Sequence, residues 1–318
     1  MSAPQDVDAV LNGIRERAPR ALGRALTWIE NGDPRGIELE NALGVPPVGF
    51  RVGFTGPPGV GESSVVGRLI PELRRRSQSV AVLAVDPTSP ITGGALLGDR
   101  VRMRGNEDDR EVFIRSLATR HGVGGVAGAS AAATDFLVHA GFDTVLVETV
   151  GVGQLEIGVV EEADAVFLLL SPESGDVIQL LKGGLVELVD RVVVNKCDRS
   201  GADELLRVAS ELAVERGDPP PIAVSANTGE GIDTLADEIV KMASVHRENP
   251  DPTRAHRRIT ARVRRHVERQ WLEAAWSRAG GLDALRDGAD RIASGDARFA
   301  ETIERLTDAG NAPPTKRE

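Results

Sequence analysis

Two stretches of this 318-residue chain bring together residue types that can hold phosphate and a purine base. The first is Gly56-Pro57-Pro58-Gly59-Val60-Gly61-Glu62-Ser63, which follows an apolar run from Val48 to Phe54 and precedes a helical pattern from Ser63 to Arg75. Its spacing fits the frame GxxxxGK[ST] in the strand-turn-helix context that frame requires. In such a loop the glycines let successive backbone N–H groups converge on phosphate oxygens. The helix N-terminus adds partial positive charge, and a hydroxyl at the Ser63 position suits Mg²⁺. Glu62 stands where the frame has lysine. Replacing a cation by an anion there turns attraction into repulsion, about 4 kcal/mol per phosphate charge at about 4 Å and an effective dielectric of about 20, before Mg²⁺ and water weaken it. Nucleotide binding is expected to survive, and fast hydrolysis is not.

The second stretch, Asn195-Lys196-Cys197-Asp198, follows the apolar run Arg191 to Val194 and matches NKxD. A carboxylate such as Asp198 accepts hydrogen bonds from the ring N–H and amino group of guanine, a pair that adenine does not present. Asn195 and the stem of Lys196 shape the pocket. Ser225-Ala226-Asn227 ends the next apolar run, where Ala226 can offer its N–H to the guanine carbonyl. NKxD alone is a weak signal, and gains force from standing between this segment and the phosphate loop. Val145-Leu146-Val147-Glu148-Thr149-Val150-Gly151 places a carboxylate at a strand end. Glu148 there suits Mg²⁺, directly or through water, and the N–H of Gly151 suits a γ-phosphate. Asp86 and Asp99 are two further candidates for the metal, each also compatible with an ordinary turn. Gln154 is a candidate for orienting an attacking water, and also reads as an exposed loop residue. Lys182, Arg100, Arg102 and Arg104 are candidates to replace the missing cation.

These residues need a scaffold. Seven β-rich apolar runs begin at Val48, Val80, Val112, Thr144, Ala165, Arg191 and Ile222, separated by helical patterns. Runs without strict alternation imply a largely parallel sheet covered on both faces, with ligands at the carboxyl ends of the strands. A helical stripe of Val7, Val10, Leu11, Ile14, Leu22, Leu26 and Ile29, interrupted near Pro19, predicts an N-terminal helical extension over 1–46. The core domain is expected over 47–247. Glu248-Asn249-Pro250-Asp251-Pro252 breaks helix and opens a C-terminal helical segment over 248–310, with a disordered tail over 311–318. Ile259, Val263, Val267 and Trp271 recur every four residues in that segment. The stripe reads either as packing on its own domain or as an arm buried against a second subunit.

Composition narrows the class. A net charge of −10 argues against nonspecific binding of nucleic acid or anionic membrane. The single Cys197 leaves no disulfide framework, and five scattered histidines form no tract for zinc or nickel. The opening Met1 to Asp8 resembles neither a secretory nor an import signal, so a cytoplasmic location is expected. The apolar run Ala165 to Leu170 is far too short to span a bilayer.

AVDPTSPITGGALLGDRVRM at 84–103, VETVGVGQLE at 147–156, the 175–184 segment and VVNKCD at 193–198 together closely resemble the MeaB/ArgK family of P-loop GTPases. These are the GTPases associated with methylmalonyl-CoA mutase, and the likeness spans about residues 5 to 280. It implies a P-loop NTPase three-layer α/β sandwich with N- and C-terminal helical extensions, and a homodimer formed through the C-terminal arm. It implies GTP and GDP as ligands with Mg²⁺, and an adenosylcobalamin-dependent acyl-CoA mutase as partner, whose cofactor loading or protection the GTPase gates. By position, Gly56, Gly59, Gly61, Ser63 and Ser64 would bind phosphate, with Glu62 at the lysine position among them. Asp86, Asp99 and Glu148 would supply the metal and switch carboxylates, and Asn195, Lys196 and Asp198 would recognise guanine. The 175–184 segment resembles the extra switch that communicates with the mutase. Glu62, and Gly183 in place of a second lysine, depart from the family pattern. A scaffold that keeps fold and partner surface without turnover is the alternative reading, and a nickel-delivery GTPase is disfavoured by the absent Cys/His cluster.

Overall fold

The computed structural model describes residues 4–44, 47–87, 109–119, 125–149, 157–174 and 186–311. Its seven strands are β1 (Phe50–Thr55), β2 (Val80–Pro87), β3 (Val112–Thr119), β4 (Thr144–Thr149), β5 (Ala165–Leu170), β6 (Arg191–Val194) and β7 (Ile222–Ala223). They form one sheet in the order β3-β2-β4-β1-β5-β6-β7, and every adjacent pair is parallel. Each strand coincides with one of the seven apolar runs. The first starts later than the run does, because Val48 is exposed while all six residues of Phe50–Thr55 are buried.

The near-continuous apolar runs follow from burial on both faces. On β2, Ala81, Leu83 and Val85 enter one core cluster while Val80 and Val82 enter the other; on β4, Val145 and Val147 oppose Leu146 in the same way. Helices α4 (Glu62–Arg75) and α8 (Ile232–Glu248) cover one face. On the other lie α5 (Gly125–His139) and α6 (Ile157–Glu162), with α1 (Pro4–Arg15) and α2 (Pro19–Asn31) adding to the same core. Helices α3 (Pro34–Leu43) and α7 (Ala202–Arg216) complete this part. The result is the expected three-layer α/β sandwich with helical extensions. Strand β1 runs between β4 and β5, so chain order reverses on either side of it. A crevice at such a switch point is where an open parallel sheet takes its ligand.

Pro19 starts α2, where its missing N–H costs nothing, which explains the break in the N-terminal stripe. Asp33 caps α3 by accepting from the Arg35 N–H at 3.0 Å, and its carboxyl falls to about 2, chiefly through the Arg35 side-chain hydrogen bond. A carboxyl lowered on folding contributes stability that is present above its ordinary value and lost as pH falls towards the folded one. Asp33→Ala is therefore expected to cost about 1 kcal/mol at neutral pH. The cost should vanish as pH falls from about 4 to about 2, as urea titrations at both ends would show.

An ionic cluster pins the opposite end of β1 from the glycine loop. Arg51, 1% exposed, donates to Asp164 at 3.1 Å and to Asp135 of α5 at 2.6 Å. Helix α9 (Pro252–Arg278) adds Arg258, which donates to Asp164 at 2.8 Å, and Arg262, which reaches Asp135 at 3.1 Å and pairs with Glu40 of α3. Arg254, one turn earlier, pairs with Asp190 at 2.6 Å. These three arginines recur at i, i+4 and i+8 and so share one helix face. His246, tilted against Phe50, lies 3.8 Å from Asp164, and burial pushes its pKa down.

The described residues up to 262 form one compact unit, and those from 263 to 311 belong to a second. Within the second, α10 (Gly281–Ala293) packs on α11 (Phe299–Asn311), with Gly288 against the buried Thr302. Trp271 and Phe299 are 72% and 69% exposed. The expected tail over 311–318 lies outside the described residues except for Asn311, the last residue of α11. Among the described residues no helix is long and apolar enough to cross a membrane.

Candidate functional site

The loop from Gly56 to Gly61 leaves the carboxyl end of β1 and enters α4. Two glycines are required by geometry. A Cβ on Gly56 would sit 2.4 Å from the Leu169 carbonyl oxygen; Gly61, at φ 96°, would put one 2.7 Å from Asn195 Nδ2. Gly61 also starts the helix, its carbonyl accepting from Ser64 and Val65 N–H at 3.1 and 3.0 Å. Glu62 and Ser63 then fall in the first turn of α4, both 7% exposed, at the positive end of the helix dipole.

Ser63 Oγ donates to the Glu148 carboxylate, joining the loop to the end of β4. The register explains the meeting: Glu148 pairs with Phe54 on β1, two residues before Gly56. A hydroxyl and a carboxylate in contact beside a phosphate-type loop form a hard oxygen donor set, which suits Mg²⁺. Ser63 and Glu148 would hold the ion, and these residues fit it. Among the described residues, no group of three His, Cys, Asp or Glu side chains forms a metal site without a ligand's help.

The base end is built on the loops after β6 and β7. Asn195, 1% exposed, donates from Nδ2 to the Val60 carbonyl at 2.8 Å and accepts on Oδ1 from Ala226 N–H at 3.2 Å. One side chain thus ties phosphate loop and base loops together. The Ala226 amide expected to meet a guanine carbonyl is here engaged by Asn195. Lys196 adopts φ 61° and donates from Nζ to the Gly59 carbonyl at 3.0 Å. Asp198 accepts from Ser225 Oγ at 2.6 Å, and Ser225 Oγ in turn accepts from Thr228 N–H at 3.1 Å. The Ser225 hydrogen bond holds the Asp198 carboxyl below its ordinary value, so it is an acceptor at neutral pH. Cys197 occupies the variable position of the motif, and burial pushes its thiol up.

The structure therefore brings together Gly56, Gly59, Gly61, Glu62, Ser63, Ser64, Glu148, Asn195, Lys196, Asp198, Ser225 and Ala226 along the carboxyl ends of β1, β4, β6 and β7. Asp86 falls in β2, the neighbour of β4, but its side chain lies outside the described residues. Asp99, Gly151, Gln154, the 175–184 segment with Lys182 and Gly183, and Arg100, Arg102 and Arg104 lie outside them as well. Sequence reasoning missed two participants. Arg68 of α4 donates to the Ala226 and Asn227 carbonyls at 2.9 and 3.2 Å, fixing the base loop to the helix that follows the phosphate loop. Glu173, beyond β5, accepts from Lys196 Nζ at 2.7 Å. Neither belongs to a motif, and only the fold brings them to the site.

Comparison with known proteins shows the family. Residues 22–279 match the family described as Methylmalonyl Co-A mutase-associated GTPase MeaB. A Pyrococcus horikoshii protein with a provisional GTPase name is 41% identical over 244 residues, covering 74% of this chain and 77% of that protein. The mouse methylmalonic aciduria type A homolog, mitochondrial, is 34% identical over 255 residues, 73% of this chain and 61% of that protein. A solved structure described as LAO/AO transport system kinase aligns over 98% of this chain and all of its own at a TM-score of 0.61 and 22% identity, a likeness of fold. The family match covers the glycine loop, the Glu148 strand end and the base motif in one stretch, so the chain is a member of the MeaB family of methylmalonyl-CoA mutase-associated GTPases.

Proposed function

We propose that this chain binds GTP and GDP with Mg²⁺, and that Glu62 slows hydrolysis without abolishing binding. The single observation that carries the reading is Asn195, whose buried amide joins the glycine loop to the base loop while Asp198 stands ionised beside Ser225. In this reading Gly56, Gly59, Gly61, Ser63 and Ser64 receive the phosphates, Asn195 and Lys196 wall the base, and Asp198 accepts from guanine. Ser225 orients Asp198, and Glu148 orients Ser63. Mg²⁺, when bound by Ser63, Glu148 and the carboxylates Asp86 and Asp99, neutralises phosphate charge. Gly151 and Gln154 are the candidates for sensing the γ-phosphate and placing water.

The family's description, a GTPase associated with methylmalonyl-CoA mutase, supports an acyl-CoA mutase as partner; in this reading the mutase is adenosylcobalamin-dependent, and the nucleotide state gates its cofactor loading or protection. Residues 1–46 would be the N-terminal extension, 47–247 the GTPase domain and 248–310 a dimerisation arm, working in the cytoplasm without nucleic acid or membrane. The exposed Trp271 supports an arm that meets a second copy. A scaffold that binds its partner without turnover is the second reading, and it is favoured by one observation, the buried Glu62 in the first turn of α4.

Asp198→Ala tests the base assignment. Hydrogen bonds to a charged group are worth about 1.5–3 kcal/mol, so GDP affinity should fall at least about tenfold in calorimetry while melting temperature changes little. Unaltered GDP affinity would refute guanine recognition by this motif.

A further inference from the structure

We propose that Glu173 is a positioning residue for guanine nucleotide binding, acting through Lys196; the inference rests on the nucleotide reading above. Lys196 is a non-glycine residue at φ 61°, a backbone region that side chains occupy uncommonly and that surrounding contacts must hold in place. Backbone bonds hold it, Cys197 N–H to Val224 O at 3.0 Å and Arg199 N–H to Lys196 O at 2.9 Å, while its ammonium makes two bonds: Gly59 O at 3.0 Å and Glu173 Oε2 at 2.7 Å. The first fixes the lysine to the phosphate loop. The second fixes it from the other side, because the Glu173 carboxylate accepts the charge-assisted bond and is itself held below its ordinary value by the Lys196 hydrogen bond.

Glu173 is well placed for this because its own turn is tied down. It sits in a turn closed by Ser174 N–H to Ser171 O at 3.0 Å and by a 2.8 Å bond between the two serine hydroxyls. Ser171 is buried, and the residue before it, Leu170, accepts from Asn195 N–H at 2.8 Å. The turn is thus anchored to the same loop it braces. Among the described residues Lys196 is the one lysine bonded to the glycine loop, and Glu62 adds an anion there, so the position of this ammonium matters more than in a loop with its own lysine.

Calorimetry on the full chain tests this with GDP and inosine diphosphate as probes. Glu173→Ala should weaken both by about threefold, the scale of a half-exposed ion pair. Their ratio should hold, because Lys196 meets the base and sugar side rather than the exocyclic amino group that distinguishes the two. Glu173→Gln, which still accepts from the ammonium, should recover part of the loss. In a Lys196→Ala background Glu173→Ala should add nothing. Wild-type GDP affinity in Glu173→Ala, or an equal loss in the Lys196→Ala background, would overturn the inference while leaving the nucleotide reading intact. A wild-type chain that takes up no GDP would overturn the reading and the inference with it.

Discussion

Glu62→Lys should raise the affinity of the chain for GDP and GTP at least about tenfold, equivalent to about 1.4 kcal/mol, and should raise GTP turnover with it. The substitution changes the charge facing the phosphates by two units. At about 4 Å and an effective dielectric of about 20 the gross gain is about 8 kcal/mol per phosphate charge, most of which solvent and Mg²⁺ screen. The same change should lower the stability of the nucleotide-free protein. A carboxylate in the first turn of a helix interacts favourably with the dipole by about 0.3–1 kcal/mol, and a lysine there interacts unfavourably. Glu62, in the first turn of α4, thus suits a nucleotide-free loop and would oppose a bound phosphate. Melting with and without GDP should show the two effects in opposite directions: a lower transition for the variant alone and a larger rise on adding nucleotide. Unchanged affinity would mean that another cation already serves the phosphates.

Asp164→Ala should be among the most destabilising single substitutions in the chain, at about 3 kcal/mol or more. Asp164 accepts from Arg51 at 3.1 Å and from Arg258 at 2.8 Å, and its side chain is fully buried. Deleting it leaves two buried guanidinium groups sharing Asp135, and an uncompensated buried charge costs far more than the pair contributes. The loss is a large fraction of the roughly 5–15 kcal/mol that holds a domain folded. It corresponds to a fall of about 6–12 °C in melting temperature. Because the cluster lies at the start of β1 and the glycine loop at its end, nucleotide affinity measured well below the transition should stay near that of wild type. A loss under about 1 kcal/mol in urea unfolding would show that the arginines find water or another partner.

The parallel sheet was legible in the sequence because burial on both faces writes unbroken apolar runs, as in Ala165–Leu170, all six residues of which are buried. The base motif was legible because its residues are contiguous and their chemistry demands those types. The ionic cluster was not: Arg51 reads as a polar interruption of an apolar strand, and its partners lie 84 and 113 residues away. Glu173 was invisible for the same reason, since its relation to Lys196 depends on β5 and β6 being neighbours in the sheet. The stripe on α9 comprises Ile259, Val263, Val267 and Trp271, and the arginines at 254, 258 and 262 that fasten its first turns to the sheet have the same four-residue spacing on another face. Periodicity marks a helix face without saying whether charge or oil holds it.

If a guanine-selective site persists although its phosphate loop carries glutamate, titration calorimetry of the wild-type chain with GDP and, separately, with ADP, both with Mg²⁺, will separate the two nucleotides. Saturable uptake of GDP at one site per chain, with no heat from ADP over the same concentrations, is the predicted result. No uptake of GDP, or equal uptake of both nucleotides, would contradict it.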